Sequence, residues 1–569
     1  MRSRPTQLLY DRDEIPPWRL IFLLGFQHLL LGFTYLVYPL VFLHELGLEG
    51  EVQQVLTMAL LVTGIGSILQ SVRLGPIGSG QLGIHTANPI YLPLAIQAGK
   101  AGGLPLAFGM ILVTGFIESV LSRFYNRLQR LFPPHVCGVV IMMLGLSMIR
   151  PALVRLTGYD ALLQSFSTQG ASVGLFTLAL IVGLSVWSKR LRLFALLIGL
   201  VTGYGLCAAT GLMPLAAFQA LHALPVFALP TFQLPSLRFD PVLLFPCLVT
   251  AIAASVDVAG MVIVYQKMND AEWRRADMHN AGNGILADGI GSILAGFLGT
   301  LGTGFSSANV GLSLVVSVCS RIVGITVGIL CILTAFFPII PATIAAMPGP
   351  IMGAALAYAA TFLIASGCEL ITARILDVRR IFTISLAVIG GLSVSFFPEL
   401  HRTMPAWIGL LAGSPMILAT AIALGLNALF QLGISQKIHH TINIAEWGQE
   451  AHDQMRGILE QAGMQWGLRR DVVRQADFAL TEFLDALPLL NVEGPMEMGL
   501  SFNEYRLDVR LVYRGQPIPL ATGGPTGTAI LEDDAAFLNL AGRLIQHHAT
   551  KCNVLSQGGV TTFQMQFDH

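Results

Sequence analysis

Charged side chains are scarce in this chain of 569 residues: 12% of the residues are charged, whereas 54% are hydrophobic. With a mean hydropathy of +0.68, that balance excludes an ordinary soluble protein of this length. No charge of one sign dominates, because 33 basic residues stand against 33 acidic ones, and a nucleic-acid partner is not expected. The seven cysteines show no paired spacing, which argues against a disulfide framework and against a zinc site.

Catalytic groupings are also missing from the sequence. We find neither a nucleophile beside a base nor a cluster of His, Cys, Asp and Glu with the spacing of metal ligands. The sequence therefore predicts a protein that is not an enzyme and that has no cofactor.

Long apolar runs are what the chain has in abundance. Between Trp18 and about Leu432 they follow one another at lengths of about 17–25 residues, enough to span the hydrocarbon core of a bilayer. We count about fourteen, near 17–44, 53–72, 83–98, 103–122, 135–150, 168–187, 191–212, 241–265, 285–298, 304–319, 322–340, 349–367, 380–397 and 406–432. They predict an α-helical polytopic membrane protein in the cell (inner) membrane.

Basic residues are concentrated in alternate loops between these runs. They occur before the first run, as Arg2, Arg4 and Arg12, and again after the second, fourth, sixth, eighth and twelfth. The intervening loops hold few, such as Lys100 and Arg238. By the positive-inside rule both termini are expected in the cytoplasm, which requires an even number of spans.

Two glycine-rich breaks interrupt apolar segments in the two halves of the chain. The second, from Gly302 to Gly311, reads Gly-Thr-Gly-Phe-Ser-Ser-Ala-Asn-Val-Gly, and the first has Gly78-Ser-Gly80 followed by Thr86-Ala-Asn-Pro89. Corresponding breaks in a duplicated apolar chain are typical of carriers that bind their substrate near the middle of the membrane. We therefore expect a substrate site where the two breaks meet.

The second break supplies polar groups suited to a ligand. A helix that starts there directs backbone N–H groups and its positive dipole end towards the cavity. Asn309 can donate and accept hydrogen bonds at once, which suits the edge of a purine or pyrimidine. Ser307 and Ala308 precede it, and Gly311 allows a helix or ligand to approach closely.

Polar residues in the first half each have two interpretations. Gln27 and His28, in the middle of the first span, either line a polar cavity or hydrogen-bond to a neighbouring helix. His85 and Thr86, in the first break, either contact a ligand or reflect the bend alone. Glu118 is expected to be buried in the fourth span without an obvious partner, and we do not assign it to the substrate.

Asp257 lies in the eighth span among small residues, in Ala253-Ala-Ser-Val-Asp-Val-Ala-Gly260. An ionised carboxyl group is costly there, so Asp257 is a candidate for proton coupling or for paired hydrogen bonds to a polar heterocycle. The alternative is a neutral carboxylic acid that caps another half-helix.

The sequence becomes polar after about residue 435. Helical periodicity is predicted for about 441–465 and 469–489, strands for 495–502 and 505–513, a helix for 534–550 and strands for 552–556 and 560–567. The predicted domains are a cytoplasmic N-terminus at 1–16, a transmembrane transporter domain at 17–435 and a small cytoplasmic α+β domain at 440–569.

Residues 15–432 resemble the nucleobase–ascorbate transporter family, the uracil, xanthine and uric acid permeases. The matching motifs are Gln27-His28, Phe132-Pro133-Pro134, Ala287-Asp288-Gly289, Ala308-Asn309-Val310-Gly311 with Ser320-Arg321, Met347-Pro348-Gly349-Pro350 and Phe397-Pro398-Glu399. The resemblance implies fourteen spans as seven plus seven inverted repeats, divided into a core and a gate domain. It also implies that the third and tenth spans begin as extended segments, that transport is coupled to protons or sodium, and that the protein is a homodimer.

The chain departs from the family pattern at the proposed site. The family signature has Gln, Glu or Pro where Ala308 stands, and Thr with Arg, Lys or Gly where Val316-Ser317 stand. The family's substrate-binding Glu aligns with Ala254, and Asp257 follows about one helical turn later. The resemblance therefore predicts the fold more closely than the substrate.

The C-terminal segment 469–569 resembles the Bergerat-type ATP-binding domain of anti-sigma serine kinases. That resemblance rests on Ala479 to Ala486, Tyr513 to Pro517 and Ala541 to Leu544, with a Gly523–Gly527 loop that could hold phosphate. Ala486 stands where the family has its magnesium-binding Asn, and Tyr513 where it has its adenine-binding Asp. We therefore expect a non-catalytic domain that is regulatory or binds a cytoplasmic protein partner, and that does not bind a nucleotide.

Three hypotheses follow from the sequence. The first is a secondary transporter for a nucleobase-like molecule, with Asp257 and Asn309 as its main polar contacts. The second keeps the fold but carries a small anion held by the two half-helix N-termini, as in the sulfate permeases. The third is a membrane sensor without transport, which relays ligand binding to the C-terminal domain.

Overall fold

The computed structural model describes residues 5, 8–128, 133–159, 165–187, 189–213, 224–232, 234–271, 276–372, 376–397, 399, 415–431, 436–442, 449–468, 470–502, 506–520 and 534–568. The chain forms two compact units, Met1–Asn427 and Ala428–His569. Each unit is described here by itself.

The first unit is built almost entirely from helices. They are α1 (Trp18–Phe33), α2 (Val37–Glu45), α3 (Val52–Val72), α4 (Leu92–Leu128), α5 (Pro134–Ser147), α6 (Ile149–Thr157), α7 (Thr168–Trp187), α8 (Lys189–Ala209), α9 (Leu244–Met268), α10 (Met278–Leu298), α11 (Ser307–Val316), α12 (Arg321–Thr334), α13 (Ile339–Ala345), α14 (Gly349–Thr372), α15 (Val378–Phe396) and, at its end, α16 (Pro415–Gln431). The prediction of a helical, multi-pass membrane protein is confirmed.

Among the described residues, nine helical stretches are long and apolar enough to cross a membrane, or ten if the bent pair α12 and α13 forms one span. Three shorter apolar helices add to these: Phe194–Ala209, Ser307–Val316 and Pro415–Phe430. The first predicted span appears as α1 and α2 in sequence, and the third and fourth merge into α4, which breaks at Gly102 and Gly103. The predicted spans thus fall on observed helices, although residues 406–414 and 432 of the last one lie outside the described part of the chain.

Two short strands of the first unit pair with each other, and their pairing is called the crossing below. β1 (His85–Ala87) comes from the first glycine-rich break, and β2 (Thr303–Phe305) comes from the second. They pair antiparallel, so the backbone N–H and C=O groups of each strand, which lie outside any helix, find hydrogen-bond partners in the other strand. The expectation that the third and tenth spans begin as extended segments is confirmed.

Each strand is followed by a capped helix start. Asn88 accepts a hydrogen bond from the Ile90 N–H at the start of the short 3₁₀-helix Pro89–Tyr91, which leads into α4. Ser306 accepts one from the Asn309 N–H at the start of α11. Small polar side chains are the preferred residues at such positions because they satisfy N–H groups that have no partner within the helix.

An N-terminal strap, residues 8–14, lies against the loop between α11 and α12. Backbone hydrogen bonds join Leu9 N to Ser317 O at 2.9 Å, Cys319 N to Tyr10 O at 3.0 Å and Arg321 N to Arg12 O at 3.0 Å. The Leu8 side chain is buried in the core of this unit, and Asp13 forms an ion pair with Arg321 at 3.2 Å. The strap therefore fixes the loop after α11 through backbone bonds and one buried side chain.

The second unit is an α+β fold. It contains β3 (Gln436–Ile442), α17 (Gln449–Trp466), α18 (Arg470–Ala486), β4 (Glu493–Phe502), β5 (Arg506–Arg514), α19 (Asp534–His548), β6 (Lys551–Gln557) and β7 (Val560–Asp568). The strands form an antiparallel sheet in the order β3-β4-β5-β7-β6. Alternate side chains of β5 and β7, such as Leu507, Val509, Phe563 and Phe567, form its core with the apolar faces of the helices.

Most elements of this unit match the sequence prediction, with one correction at its start. Residues 436–442 form the edge strand β3, whereas the sequence predicted a helix from about residue 441. The run Gln-Lys-Ile-His-His-Thr-Ile is polar and short, so its alternation gives a weak strand signal. The Gly/Thr-rich loop Ala521–Ala529, including Gly523–Gly527, lies outside the described residues.

Candidate functional site

Most of the residues expected to bind substrate lie around the crossing of β1 and β2. In this crossing His85 pairs with Phe305, Thr86 with Gly304 and Ala87 with Thr303. The helix starts that follow the two strands place the amides of Asn88 and Asn309 beside the crossing. The two halves of the chain therefore contribute equivalent parts to one small region, as the echo in the sequence predicts.

Asn309 is held by two side chains. Its Oδ1 lies 2.8 Å from Nδ1 of His28 on α1, and since an amide oxygen only accepts, the imidazole donates. Its Nδ2 donates to Oγ of Ser306 at 2.9 Å. Both His28 and Asn309 are buried, so these bonds fix the orientation of the amide in a dry environment.

His28 therefore forms a hydrogen bond between helices, one of the two interpretations that the sequence allowed. Its neighbour Gln27 is half-buried on the same helix. The sequence gave no indication of the Asn309 bond itself, because the two residues are 281 positions apart.

Tyr35 is a residue of the site that the sequence analysis missed. Its hydroxyl accepts a hydrogen bond from the Ala308 N–H at 3.3 Å and lies 3.4 Å from Oγ of Ser307. Ser307 is exposed and Ala308 is half-buried, so the start of α11 faces open space beside Tyr35. Tyr35 sits in a single 3₁₀ turn between α1 and α2, a local irregularity that the apolar pattern of the first span conceals.

Gly311 faces open space on α11. A Cβ atom built at this position would meet nothing within 4 Å. Further along the helix, Oγ of Ser313 lies 2.8 Å from the hydroxyl of Tyr265 on α9, so α11 is tied to its neighbour on another side. The absence of a side chain at Gly311 thus leaves room that packing within the protein does not fill.

His85 and Thr86 are both buried within the first break. The His85 N–H donates to Oγ of Ser67 at 2.9 Å, and its ring Nδ1 lies 3.5 Å from Oδ1 of Asp288 on α10. The methyl group of Thr86 packs near Gly32. In this structure both side chains are therefore packed inside the protein.

Glu118 has a partner that the sequence did not reveal. The hydroxyl of Tyr91 donates to Oε2 of Glu118 at 2.8 Å, and both residues are fully buried. Glu118 also interacts electrostatically with Asp288 and Asp257. Three carboxyl groups from α4, α9 and α10 are thus close together near the crossing.

Asp257 lies half-buried on α9, one turn from the buried Ala254. It interacts electrostatically with the buried carboxyl groups of Glu118 and Asp288. Among the described residues, no group of three or more His, Cys, Asp and Glu side chains is arranged to hold a metal ion.

In the second unit, the position of the expected adenine-binding Asp is filled by packed aromatic rings. Tyr513 is buried, its ring centroid lies 5.5 Å from that of Phe483, and its hydroxyl donates to the Gln516 carbonyl at 3.2 Å. Burial raises the pKa of Tyr513 to about 12. Ala486 is buried at the end of α18 and offers no metal ligand.

The chain matches the model of the permease family over residues 19–400. It is 27% identical over 446 residues to the xanthine permease XanP of Escherichia coli (strain K12), which covers 75% of this chain and 96% of that protein. It is 26% identical over 416 residues to the uric acid permease PucK of Bacillus subtilis (strain 168), covering 72% and 95%. Among solved structures, the transmembrane domain of a cyanobacterium bicarbonate transporter, BicA, aligns with a TM-score of 0.43 and 14% identity over 71% of this chain and 97% of that one.

Proposed function

The chain belongs to the permease family, which is the family of nucleobase–ascorbate transporters that its sequence resembles. We therefore propose that it is a secondary transporter for a nucleobase such as xanthine, uric acid or uracil. The relatives named above are xanthine and uric acid permeases, which supports a purine as the first substrate to test. Transport rather than catalysis is the activity of such a protein.

The orientation of the Asn309 amide is the observation that carries this proposal. With Oδ1 bound to His28 and one Nδ2 hydrogen bound to Ser306, the second Nδ2 hydrogen is left to donate to a ligand. A donor fixed in a buried position discriminates well between ring substituents, because a ligand without the matching acceptor leaves it unpaired. Carbonyl oxygens and ring nitrogens of nucleobases are suitable acceptors.

The remaining candidate residues have distinct roles in this proposal. Asp257 hydrogen-bonds to ring N–H groups of the base and couples transport to a proton, with sodium as the other candidate ion. Ser307 and Ala308 line the open side at the start of α11, and Gly311 leaves space for the ring. Gln27 lines the α1 side, whereas Thr86 and His85 hold the first break behind the ligand.

A neutral heterocycle suits this geometry better than a small anion. The Ala308 and Asn309 N–H groups already donate to Tyr35 and Ser306, so fewer backbone donors remain at the start of α11 for a bare anion. The side-chain amide is then the principal polar contact.

The arrangement in the cell is part of the same proposal. The distribution of Arg and Lys residues favours an inner-membrane protein with both termini in the cytoplasm. We propose that the protein functions as a homodimer and that residues 440–569 form a cytoplasmic domain that binds a protein partner. The aromatic packing around Tyr513, in place of the adenine-binding Asp, supports a role without nucleotide.

Uptake into proteoliposomes tests the proposal. Purified full-length protein should accumulate radiolabelled xanthine, urate or uracil, and Asp257→Asn should abolish that accumulation. A thermal-shift screen of the same compounds should show stabilisation of the wild type. If no heterocycle is taken up or stabilises the protein, the nucleobase assignment is wrong; saturable binding without flux would identify a sensor instead.

A further inference from the structure

We propose, on the basis of the transport function above, that the N-terminal strap (residues 8–14) is a positioning element of the substrate site. The strap supplies hydrogen-bond partners to the end of α11 and to the start of α12, and it thereby holds the helix that carries Asn309. Leu9 and Arg12 of the strap and Ser320 of the loop are positioning residues. They affect substrate affinity through α11 rather than by contact with the ligand.

The strap satisfies backbone groups at two helix ends. A helix leaves its last carbonyl groups and its first N–H groups without partners inside the helix. At the end of α11, the Ser317 carbonyl accepts a hydrogen bond from the Leu9 N–H at 2.9 Å. At the start of α12, the Arg321 N–H donates to the Arg12 carbonyl at 3.0 Å. One segment of the chain is therefore a shared cap for both helices.

Ser320 bonds to the strap and not to its own helix. It occupies the N-cap of α12, a position where a serine hydroxyl commonly accepts a backbone N–H of the first turn. In the described structure it makes no such bond, and its Oγ donates to the Glu14 carbonyl at 2.6 Å instead. The adjacent Cys319 N–H donates to the Tyr10 carbonyl at 3.0 Å. Successive residues of the loop are thus fixed to successive residues of the strap.

Ser317 explains why the end of α11 needs this support. Its φ of 55° and ψ of 40° lie in the left-handed region, which is unfavourable for a residue with a side chain. In the first half of the chain, the break in α4 after β1 uses Gly103 at a φ of 73°, and glycine adopts this conformation freely. The bond from Leu9 holds Ser317 in a conformation that its own preference opposes.

Asn269 extends the contact of the strap to the first break. This buried residue follows α9, and its Oδ1 accepts a hydrogen bond from the Arg12 N–H at 3.2 Å. Its Nδ2 donates to Oε1 of Gln81 at 3.1 Å, in the loop that leads to β1. The strap is therefore linked to the segments on both sides of the β1–β2 crossing.

The apolar contact of the strap leads to the same place. Leu8 is buried in one cluster with Ile84, Phe305 and Val310. Ile84 directly precedes β1, Phe305 belongs to β2, and Val310 is next to Asn309. The side chain of Leu8 thus supports the core from which the crossing and the start of α11 are built.

The short length of α11 transmits a displacement of its end to Asn309. The helix has ten residues, and Asn309 lies about two turns before Ser317. Oγ of Ser313 donates to the Asn309 carbonyl at 3.1 Å, and the Ser313 carbonyl accepts from the Val318 N–H at 3.2 Å. A loose end of α11 therefore allows the Asn309 amide to shift, which weakens the binding of substrate.

Uptake kinetics in proteoliposomes separate positioning from a purely structural role. Leu9→Pro removes the N–H that bonds to Ser317, and it should raise KM about three- to tenfold while the maximal rate changes less than about twofold. Leu9→Ala is the matched control, because the Leu9 side chain is 61% exposed and the N–H is kept, so its KM should equal that of the wild type. A lower maximal rate with an unchanged KM in Leu9→Pro would mean that the strap only stabilises the fold, and it would overturn the proposal.

Ser320→Ala is a milder variant that decides the question if Leu9→Pro does not fold. It loses the single hydrogen bond to Glu14 and should raise KM about two- to fivefold with little change in the maximal rate. A wild-type KM in Ser320→Ala would count against the proposal.

Ser317→Gly provides a rescue. Because glycine adopts the left-handed conformation without support, the double variant Leu9→Pro, Ser317→Gly should have a KM at least about twofold below that of Leu9→Pro alone. Ser317→Gly by itself should retain the KM of the wild type. If the double variant recovers no affinity, the strap does not act through the end of α11 and the proposal is wrong.

Hydrogen–deuterium exchange of the purified full-length protein tests the positioning without any transport assay. The amides of α11 should exchange about tenfold faster in Leu9→Pro than in the wild type, whereas those of α14 should exchange at the same rate and serve as the internal reference. Equal exchange in α11 would contradict the proposal. If the wild type takes up no nucleobase, the proposed function fails, and exchange in α11 still decides whether the strap fixes this helix.

Discussion

His28 and Asn309 come from opposite halves of the membrane unit and are joined by a 2.8 Å hydrogen bond from Nδ1 to Oδ1. The bond settles which way the Asn309 amide faces, because its oxygen is occupied by the imidazole and its nitrogen points to Ser306. His28 therefore contributes to the candidate site through Asn309, without needing to touch a ligand. This arrangement makes several predictions.

Replacing His28 with Ala should raise KM for the substrate about tenfold, equivalent to about 1.4 kcal/mol, because the amide loses the partner that orients it. The maximal rate should change less. Initial uptake rates over a range of substrate concentrations measure both. His44→Ala is the control, since the His44 ring bonds to the Leu40 carbonyl of its own helix. Equal effects of the two substitutions would contradict an orienting role.

Two glycine substitutions should separate packing from ligand space. In Gly304→Ala the new methyl group would overlap the Asn88 side-chain amide, so the crossing should distort at a cost of about 1–3 kcal/mol. The melting temperature of the purified protein should fall and uptake should be lost.

Gly311→Ala should leave the melting temperature unchanged, because the added Cβ meets nothing within 4 Å. The methyl group should nevertheless weaken binding of a bicyclic purine more than that of uracil, if the ring occupies this space. Competition of each unlabelled base against radiolabelled uptake gives the two affinities. Unchanged affinity for every base would show that the ligand lies elsewhere.

The N-terminal strap permits a comparison of a buried contact with an exposed ion pair. Leu8→Ala should destabilise the first unit by about 2–4 kcal/mol, since a buried leucine leaves a cavity. Arg321→Ala removes the pair with Asp13, whose side chain is 51% exposed, and should cost only about 0–1 kcal/mol. Thermal unfolding of the two variants in the same detergent measures the difference, and a larger effect of Arg321→Ala would reverse this ranking.

The C-terminal unit should respond to its aromatic core and not to nucleotide. Phe483→Ala should destabilise this unit by about 3–5 kcal/mol, because Phe483 packs against both Tyr513 and Phe563. Limited proteolysis of the full-length protein should then release fragments from this region first. ATP with magnesium should protect neither the wild type nor Phe483→Ala from proteolysis. Protection of the wild type would show that this unit binds nucleotide and would contradict the prediction.

Local patterns in the sequence predicted much of the fold. Apolar runs predicted the helices of the membrane unit, and the glycines around Asn88 and Asn309 predicted the two breaks between helices. That these breaks are extended was implied by the family resemblance. The alternation in β4, β5 and β7 likewise predicted the C-terminal sheet. Each of these signals lies within a few residues of the feature it predicts.

Contacts between distant segments had no such signal. Glu118 looked unpartnered because Tyr91 lies beyond the break at Gly102 and Gly103, and no local pattern brings the two together. The role of Tyr35 at the candidate site was not predicted, because a tyrosine in an apolar span is usually an interfacial or core residue. Asp257 and Asn309 could be named as candidates from the cost of burying them, but their partners follow only from the packing of helices far apart in sequence.

The pairing of β1 with β2 has a consequence for biosynthesis. A chain synthesised only as far as Leu301 already contains β1, yet the strand that satisfies its N–H and C=O groups has not been made. Hydrocarbon offers these groups no partner, so water or the insertion machinery must hold the first break until the second emerges. Insertion of the early helices therefore precedes completion of their fold, and a truncated first half is expected to be a substrate for membrane quality control.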